Sequence, residues 1–134
     1  MLTRRTFAAC AICAAAGFLA SSAEAQNATT PGIKRVLLKQ TDGPTAGYVT
    51  IAMRGELEPG AAVARHTHPG VETGYVIEGG SVVTIDGVGE VSVGPGEVYQ
   101  VPTGVPHSGK NGPAKTVIVQ TFVVEKGKPL ASPA

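Results

Sequence analysis

The chain has 134 residues, with 11 Lys and Arg against 10 Asp and Glu, so one domain is the natural count and neither charge sign dominates. No basic run or patch stands out, which excludes nucleic acid as an expected partner. Both cysteines, Cys10 and Cys13, fall in the first 25 residues; if that segment is removed, disulfides, thiolate ligands and cysteine nucleophiles are excluded too.

Residues 1–25 read as an export signal. Met1-Leu2-Thr3-Arg4-Arg5 is a short basic start, Phe7 to Ala20 is apolar, and Ala23-Glu24-Ala25 has the small-x-small pattern of a cleavage site before Gln26. The apolar run is short for a membrane span and no other stretch approaches the length, so no membrane association is expected after cleavage. The expected location is periplasmic or secreted. Thr3-Arg4-Arg5-Thr6-Phe7 resembles the twin-arginine export motif, although Ala8 stands where that motif often has Leu; a paired arginine also fits an ordinary Sec leader.

Residues 26–32 are small and polar and end in Pro31-Gly32, which suggests a flexible leader. Ile33 to Gln40, with Val36, Leu37 and Leu38, reads as a first strand that could pair with an edge of its own sheet or of a neighbour. Thr41 to Pro44 turns the chain. In Tyr48 to Leu57, Val49, Ile51, Met53 and Leu57 fall on one face, while Thr50, Arg54 and Glu56 fall on the other. Arg54 and Glu56 are expected as surface or interface charges. After Pro59-Gly60 come strands over Ala61 to His68 and Glu72 to Glu78, then Ser81 to Ile85, an Asp86-Gly87 hairpin signal, and Glu90 to Val93. Glu97 to Val101, a strand starting at His107, and the apolar Thr116 to Val124 complete the domain over residues 33–125. Residues 126–134 are expected to be a loosely held tail. Short β-branched segments between Gly and Pro turns, with no helical period, predict an all-β sandwich or barrel.

All three histidines fall in two segments, His66-Thr67-His68-Pro69-Gly70-Val71-Glu72 and the stretch ending at His107. On a strand, residues two apart share a face, and at about 3.3 Å per residue the Cα atoms of His66 and His68 lie about 6.6 Å apart. Two imidazoles can therefore converge on one ion, and the strand after Pro69-Gly70 returns Glu72 beside them. Three imidazoles and a carboxylate form a ligand set for a divalent transition metal such as Fe, Mn, Ni or Zn.

These segments resemble the two motifs of the cupin superfamily. The first motif, G, five residues, H-x-H, three or four residues, E, six residues, G, is matched by Gly60, His66, His68, Glu72 and Gly79. The second, G, five residues, P-x-G, two residues, H, three residues, N, is matched by Gly96, Pro102, Gly104, His107 and Asn111. The resemblance implies a double-sheet jelly-roll barrel, with His66, His68, Glu72 and His107 as metal ligands and the glycines and Pro102 at turns. It also implies that Asn111 is structural. Export by the twin-arginine route, which carries folded proteins, would let the metal be captured before periplasmic copper and zinc compete.

Four protein ligands leave one or two open positions on an ion that takes five or six. The leading expectation is a metal-dependent, dioxygenase-like enzyme acting on a small organic molecule, and a homodimer. Alternatives are a metal-dependent isomerase or lyase on a sugar or organic acid, and a non-catalytic periplasmic protein that holds metal or ligand. Gly74 should share the face of Glu72 and leave space, with Val76 continuing that face. Tyr99, Gln100 and Gln120 are candidate hydrogen-bond partners for substrate; the competing reading for each is an outward face or a subunit contact.

Overall fold

The computed structural model describes residues 30–134. The export signal, its cleavage site and most of the leader therefore lie outside the described residues. Ten strands follow in order: β1 Ile33–Asp42, β2 Tyr48–Leu57, β3 Ala62–Thr67, β4 Gly70–Glu78, β5 Ser81–Ile85, β6 Gly89–Val93, β7 Val98–Val101, β8 His107–Asn111, β9 Thr116–Glu125 and β10 Ser132–Pro133. No helix is present among the described residues. The strands form two five-stranded antiparallel sheets, ordered β1-β2-β9-β4-β7 and β10-β3-β8-β5-β6. The all-β jelly-roll architecture expected from the sequence is the one observed.

Binary alternation builds the sheets. Strand β2 alternates without a break between half-buried and buried positions, with Val49, Ile51, Met53, Gly55 and Leu57 inward. Ile51, Met53, Phe122 and Val124 pack in one core cluster; Leu57, Val76, Val83, Ile85, Tyr99, Val101 and Ile118 pack in another. Each such side chain contributes about 1.5–3 kcal/mol on burial. Strand β1 pairs with β2 of its own chain, from Ile33↔Leu57 to Asp42↔Val49.

The motif glycines lie at turns, where Gly60, Gly79, Gly96 and Gly104 all have positive φ. At Gly79 a second constraint applies: an added Cβ would stand 2.3 Å from the Lys115 carbonyl oxygen, so any side chain there would separate the strands. Asn111 fastens the same end of the barrel. Its amide donates to the carbonyls of Leu57, Glu58 and Ala114, and its oxygen accepts from the Ser81 hydroxyl.

Two expectations about the ends of the domain are corrected. The tail over 126–134 is not loose: Ser132 and Pro133 pair with Thr67 and His66, and Leu130 packs against the core. Its Gly-Lys-Pro-Ala composition gave no strand signal, because an edge pairing held by backbone hydrogen bonds needs no particular side chains. At the other end, the last residues of the leader are tied in. The Ile33 amide donates to the Thr30 carbonyl, the Glu58 amide to the Gly32 carbonyl, and the Arg35 guanidinium to the Thr30 hydroxyl.

Candidate metal centre

A bulge in β3 sets the direction of the first two histidines. Val63 pairs with Gly109 and His66 with His107, so the β3 side of the ladder carries one residue more than β8 between these pairs. Val63 packs against the core. With strict alternation an inward Val63 would send His66 outward; the extra residue turns it back toward the barrel. His66 Nδ1 then donates to the Ala64 carbonyl inside the bulge, at 2.7 Å. His68 follows the end of β3, and His107 opens β8 directly opposite His66. Glu72 comes from β4 in the other sheet. The donor atoms of His66, His68, Glu72 and His107 lie within 4.8 Å of one another.

The tautomers follow from the second nitrogen of each ring. His66 Nδ1 faces the Ala64 carbonyl, His68 Nδ1 the Leu130 carbonyl at 2.6 Å, and His107 Nδ1 the Val105 carbonyl at 3.0 Å. A carbonyl only accepts, so each Nδ1 carries a proton, and each ring when neutral turns an Nε2 lone pair inward. His66 Nε2 and His68 Nε2 are 3.2 Å apart, and the Nε2 atoms of His68 and His107 each stand 3.0 Å from Glu72 Oε2. Lone pairs facing each other at these distances repel unless a proton or a cation sits among them. A divalent ion fits this donor set.

Glu72 is 2 % exposed, and its other oxygen is held from behind. Oε1 accepts from the Tyr99 hydroxyl and from Gln120 Nε2, each at 2.7 Å. Burial alone would push the Glu72 carboxyl up. Where a proton sits among the rings, the bonds it makes from His107 and His68 to Oε2, together with the Tyr99 bond to Oε1, outweigh burial and keep the group ionised, well below the usual carboxylate range. Burial raises the Tyr99 phenol well above its ordinary value, and the neighbouring carboxylate adds to that, so Tyr99 stays a donor. Burial likewise lowers His66, against the opposing bond to the Ala64 carbonyl, which favours the neutral, ligand-competent ring. Burial lowers His107 as well, but the Glu72 bond and the Val105 carbonyl outweigh that and raise it.

The four donors lie on the wall of a cavity of about 400 Å³ between the sheets. Its lining is mostly apolar and includes Ile33, Met53, Leu57, Val83, Ile118 and Phe122. Residues 129–131 of the tail also line it.

The remaining candidate residues divide. Tyr99 and Gln120 line the cavity and hold Glu72. Gln100 does not join them; it is exposed and donates to Thr73 on the opposite face of the sheet. Gly74 lies on the face of Glu72, but the space it leaves is filled by the Tyr99 ring, since a Cβ there would stand 2.2 Å from Tyr99 Cε1. Val76 is fully buried in the core cluster and is not among the cavity-lining residues. Sequence reasoning overlooked Leu130, whose backbone contribution leaves no side-chain signal. It also overlooked Arg35, a charge at an inward position of β1 two residues from Ile33, which strand alternation could have revealed.

The family model described as Cupin domain matches residues 53–125, more than half of the chain and both histidine segments. No curated protein matches this chain. Among solved structures, an RmlC-like cupin from Shewanella frigidimarina NCIMB 400 is 24 % identical at a TM-score of 0.60, over 75 % of this chain and 83 % of that one. KdgF from Halomonas sp. is also 24 % identical, at a TM-score of 0.58 over 71 % and 82 %. A recombinant oxalate oxidase in complex with glycolate is 24 % identical at 0.61, over 80 % of this chain and 57 % of that one. These likenesses concern the fold. With the motif spacing, the two sheets and the family match in agreement, this chain belongs to the cupin family.

Proposed function

We propose that the protein is a metal-dependent, dioxygenase-like enzyme acting on a small organic molecule held between its two sheets. The observation that carries this reading is the convergence of three tautomer-fixed imidazoles and one ionised carboxylate on the wall of a mostly apolar cavity. His66, His68, Glu72 and His107 would hold the ion, and the apolar wall would exclude water from the bound molecule. Bound iron would supply oxygen activation, and manganese, nickel or zinc would supply Lewis acidity. Tyr99 and Gln120 keep Glu72 oriented through Oε1, which leaves Oε2 for the ion. That fold neighbours include an oxalate oxidase and lyases supports an enzymatic use of this architecture.

Metal analysis of protein purified from its native compartment, followed by assays of the iron form with phenolic, diketone and organic-acid substrates, tests the proposal. Iron in the native protein and oxygen uptake on substrate addition are the expected results. Turnover under strict anaerobiosis would replace this reading with an isomerase or lyase. Tight metal retention without turnover would replace it with a binding protein.

Export to the periplasm or the medium is proposed on the pattern of residues 1–25, and amino-terminal sequencing of the native protein should begin at Gln26. A homodimer is proposed to form through the outer face of the first sheet. Val71, Tyr75 and Val98 are exposed there on one face of neighbouring strands. Light scattering should report a dimer for the wild type and a monomer for Tyr75→Glu, with an unchanged fold by circular dichroism.

A further inference from the structure

We infer that Arg35 anchors a carboxylate of the molecule in the cavity, so that the substrates are small organic acids spanning from the metal ligands to this guanidinium. The inference rests on the metal-centre reading and adds the substrate class to it.

Arg35 occupies an inward position of β1. Ile33, two residues before it, is a core residue, and both side chains line the cavity. A charged residue at such a position costs free energy unless it is paired. Its one side-chain hydrogen bond among the described residues runs from Nη1 to the Thr30 hydroxyl at 3.2 Å. No described carboxylate lies within ion-pair distance of it. A guanidinium carries five N–H donors, so most of its capacity is unused.

Glu72, the single acidic residue lining the cavity among the described residues, is fully committed. Oε1 accepts from Tyr99 and Gln120, and Oε2 faces His68 and His107. Lys110, the other cationic residue of the lining, donates to the Gly60 carbonyl at 2.8 Å. Arg35 is therefore the lining cation with donors to spare. Opposite it on β2 stands Gly55, which contributes no side chain; Gln120 Oε1 lies 3.2 Å from where its Cβ would be. Arg35 and Gln120 thus border the same part of the cavity.

Electrostatics point the same way. Burial lowers the Arg35 pKa and the Glu72 carboxylate opposes that, so the guanidinium remains charged and senses the site. With a divalent ion in place, one carboxylate and one unpaired guanidinium leave the cavity positive. An organic anion restores balance, and a carboxylate matches the guanidinium fork with two parallel hydrogen bonds.

The test uses the full mature protein loaded with Co(II), whose visible spectrum reports occupancy and ligand exchange. Malonate, succinate and glutarate are titrated as probes of increasing reach, with azide as an anion too short to span the cavity. At least one dicarboxylate should bind the wild type. Arg35→Met should weaken that binding about 10- to 100-fold, with Co(II) affinity unchanged and azide, which cannot reach the guanidinium, weakened far less, and Arg35→Lys should retain part of it. Equal dicarboxylate binding by wild type and Arg35→Met, or none by the wild type, overturns the inference while the metal centre stands. Failure of the wild type to take up Co(II) overturns the metal centre, and this inference with it.

Discussion

Glu72 uses its two oxygens differently. Oε2 faces the histidines, and Oε1 is fixed by Tyr99 and Gln120. A group that orients a ligand in this way typically changes metal affinity by about 10- to 100-fold when removed. Tyr99→Phe keeps the ring that fills the space beside Gly74 and deletes only the hydroxyl. Its metal dissociation constant, measured by chelator competition, should rise about tenfold. Gly74→Ala acts on the same contact from the other side, because the added methyl collides with the Tyr99 ring. It should weaken metal binding and also lower the unfolding free energy in urea by about 1–3 kcal/mol through overpacking. An effect of Gly74→Ala on stability alone would show that the ring can move without disturbing Glu72.

The histidines and Glu72 were legible because their spacing is fixed along short segments. Their supports were only half legible. Tyr99 and Gln100 are adjacent polar residues, and neighbours on a strand point to opposite faces, so at most one could reach the cavity. Spacing does not say which. What decides it is the vacancy at Gly74 on the paired strand, and that pairing, Gly74↔Tyr99, is a contact between distant segments.

Among the elements, β3 and β10 depend on each other. The bulge in β3 aims His66 inward, and β10 covers the outer edge of β3 by pairing with Thr67 and His66. The approach to β10 places the Leu130 carbonyl on His68 Nδ1, so the tail fixes one imidazole and lines one wall of the cavity. Truncation after Glu125 should leave the barrel folded, because β1–β9 keep their partners, but it frees the His68 ring. The metal dissociation constant should rise about 10- to 100-fold, with far-ultraviolet circular dichroism unchanged. Neither feature could be read in advance. A bulge is one surplus residue in a ladder whose register depends on the partner strand, and a strand held by backbone hydrogen bonds leaves little trace in composition.

At the scale of the molecule, turn residues and alternation were enough to identify an all-β fold, since they act locally. The order β1-β2-β9-β4-β7 was out of their reach, since it joins strands far apart in sequence. The metal ligands link those distant parts. His66 and His68 belong with β3 and His107 with β8 in one sheet, and Glu72 belongs to β4 in the other. An ion bound by all four therefore joins the two sheets, and its binding free energy adds to the stability of the folded state. At a free metal concentration of about 100 times the dissociation constant, linkage contributes about 2.7 kcal/mol. For a domain of this size that raises the melting temperature by about 10–20 °C. Calorimetry of the metal-loaded and chelator-treated protein should show that difference, and it should grow with metal concentration. His66→Ala provides the control. Of the three histidines His66 is the least buried, so its loss disturbs the apoprotein least while removing one donor. Its melting temperature without metal should stay near that of the wild-type apoprotein, and most of the metal-dependent rise should disappear. A rise of equal size in this variant would mean that the ion binds elsewhere and that the four donors do not hold the sheets together.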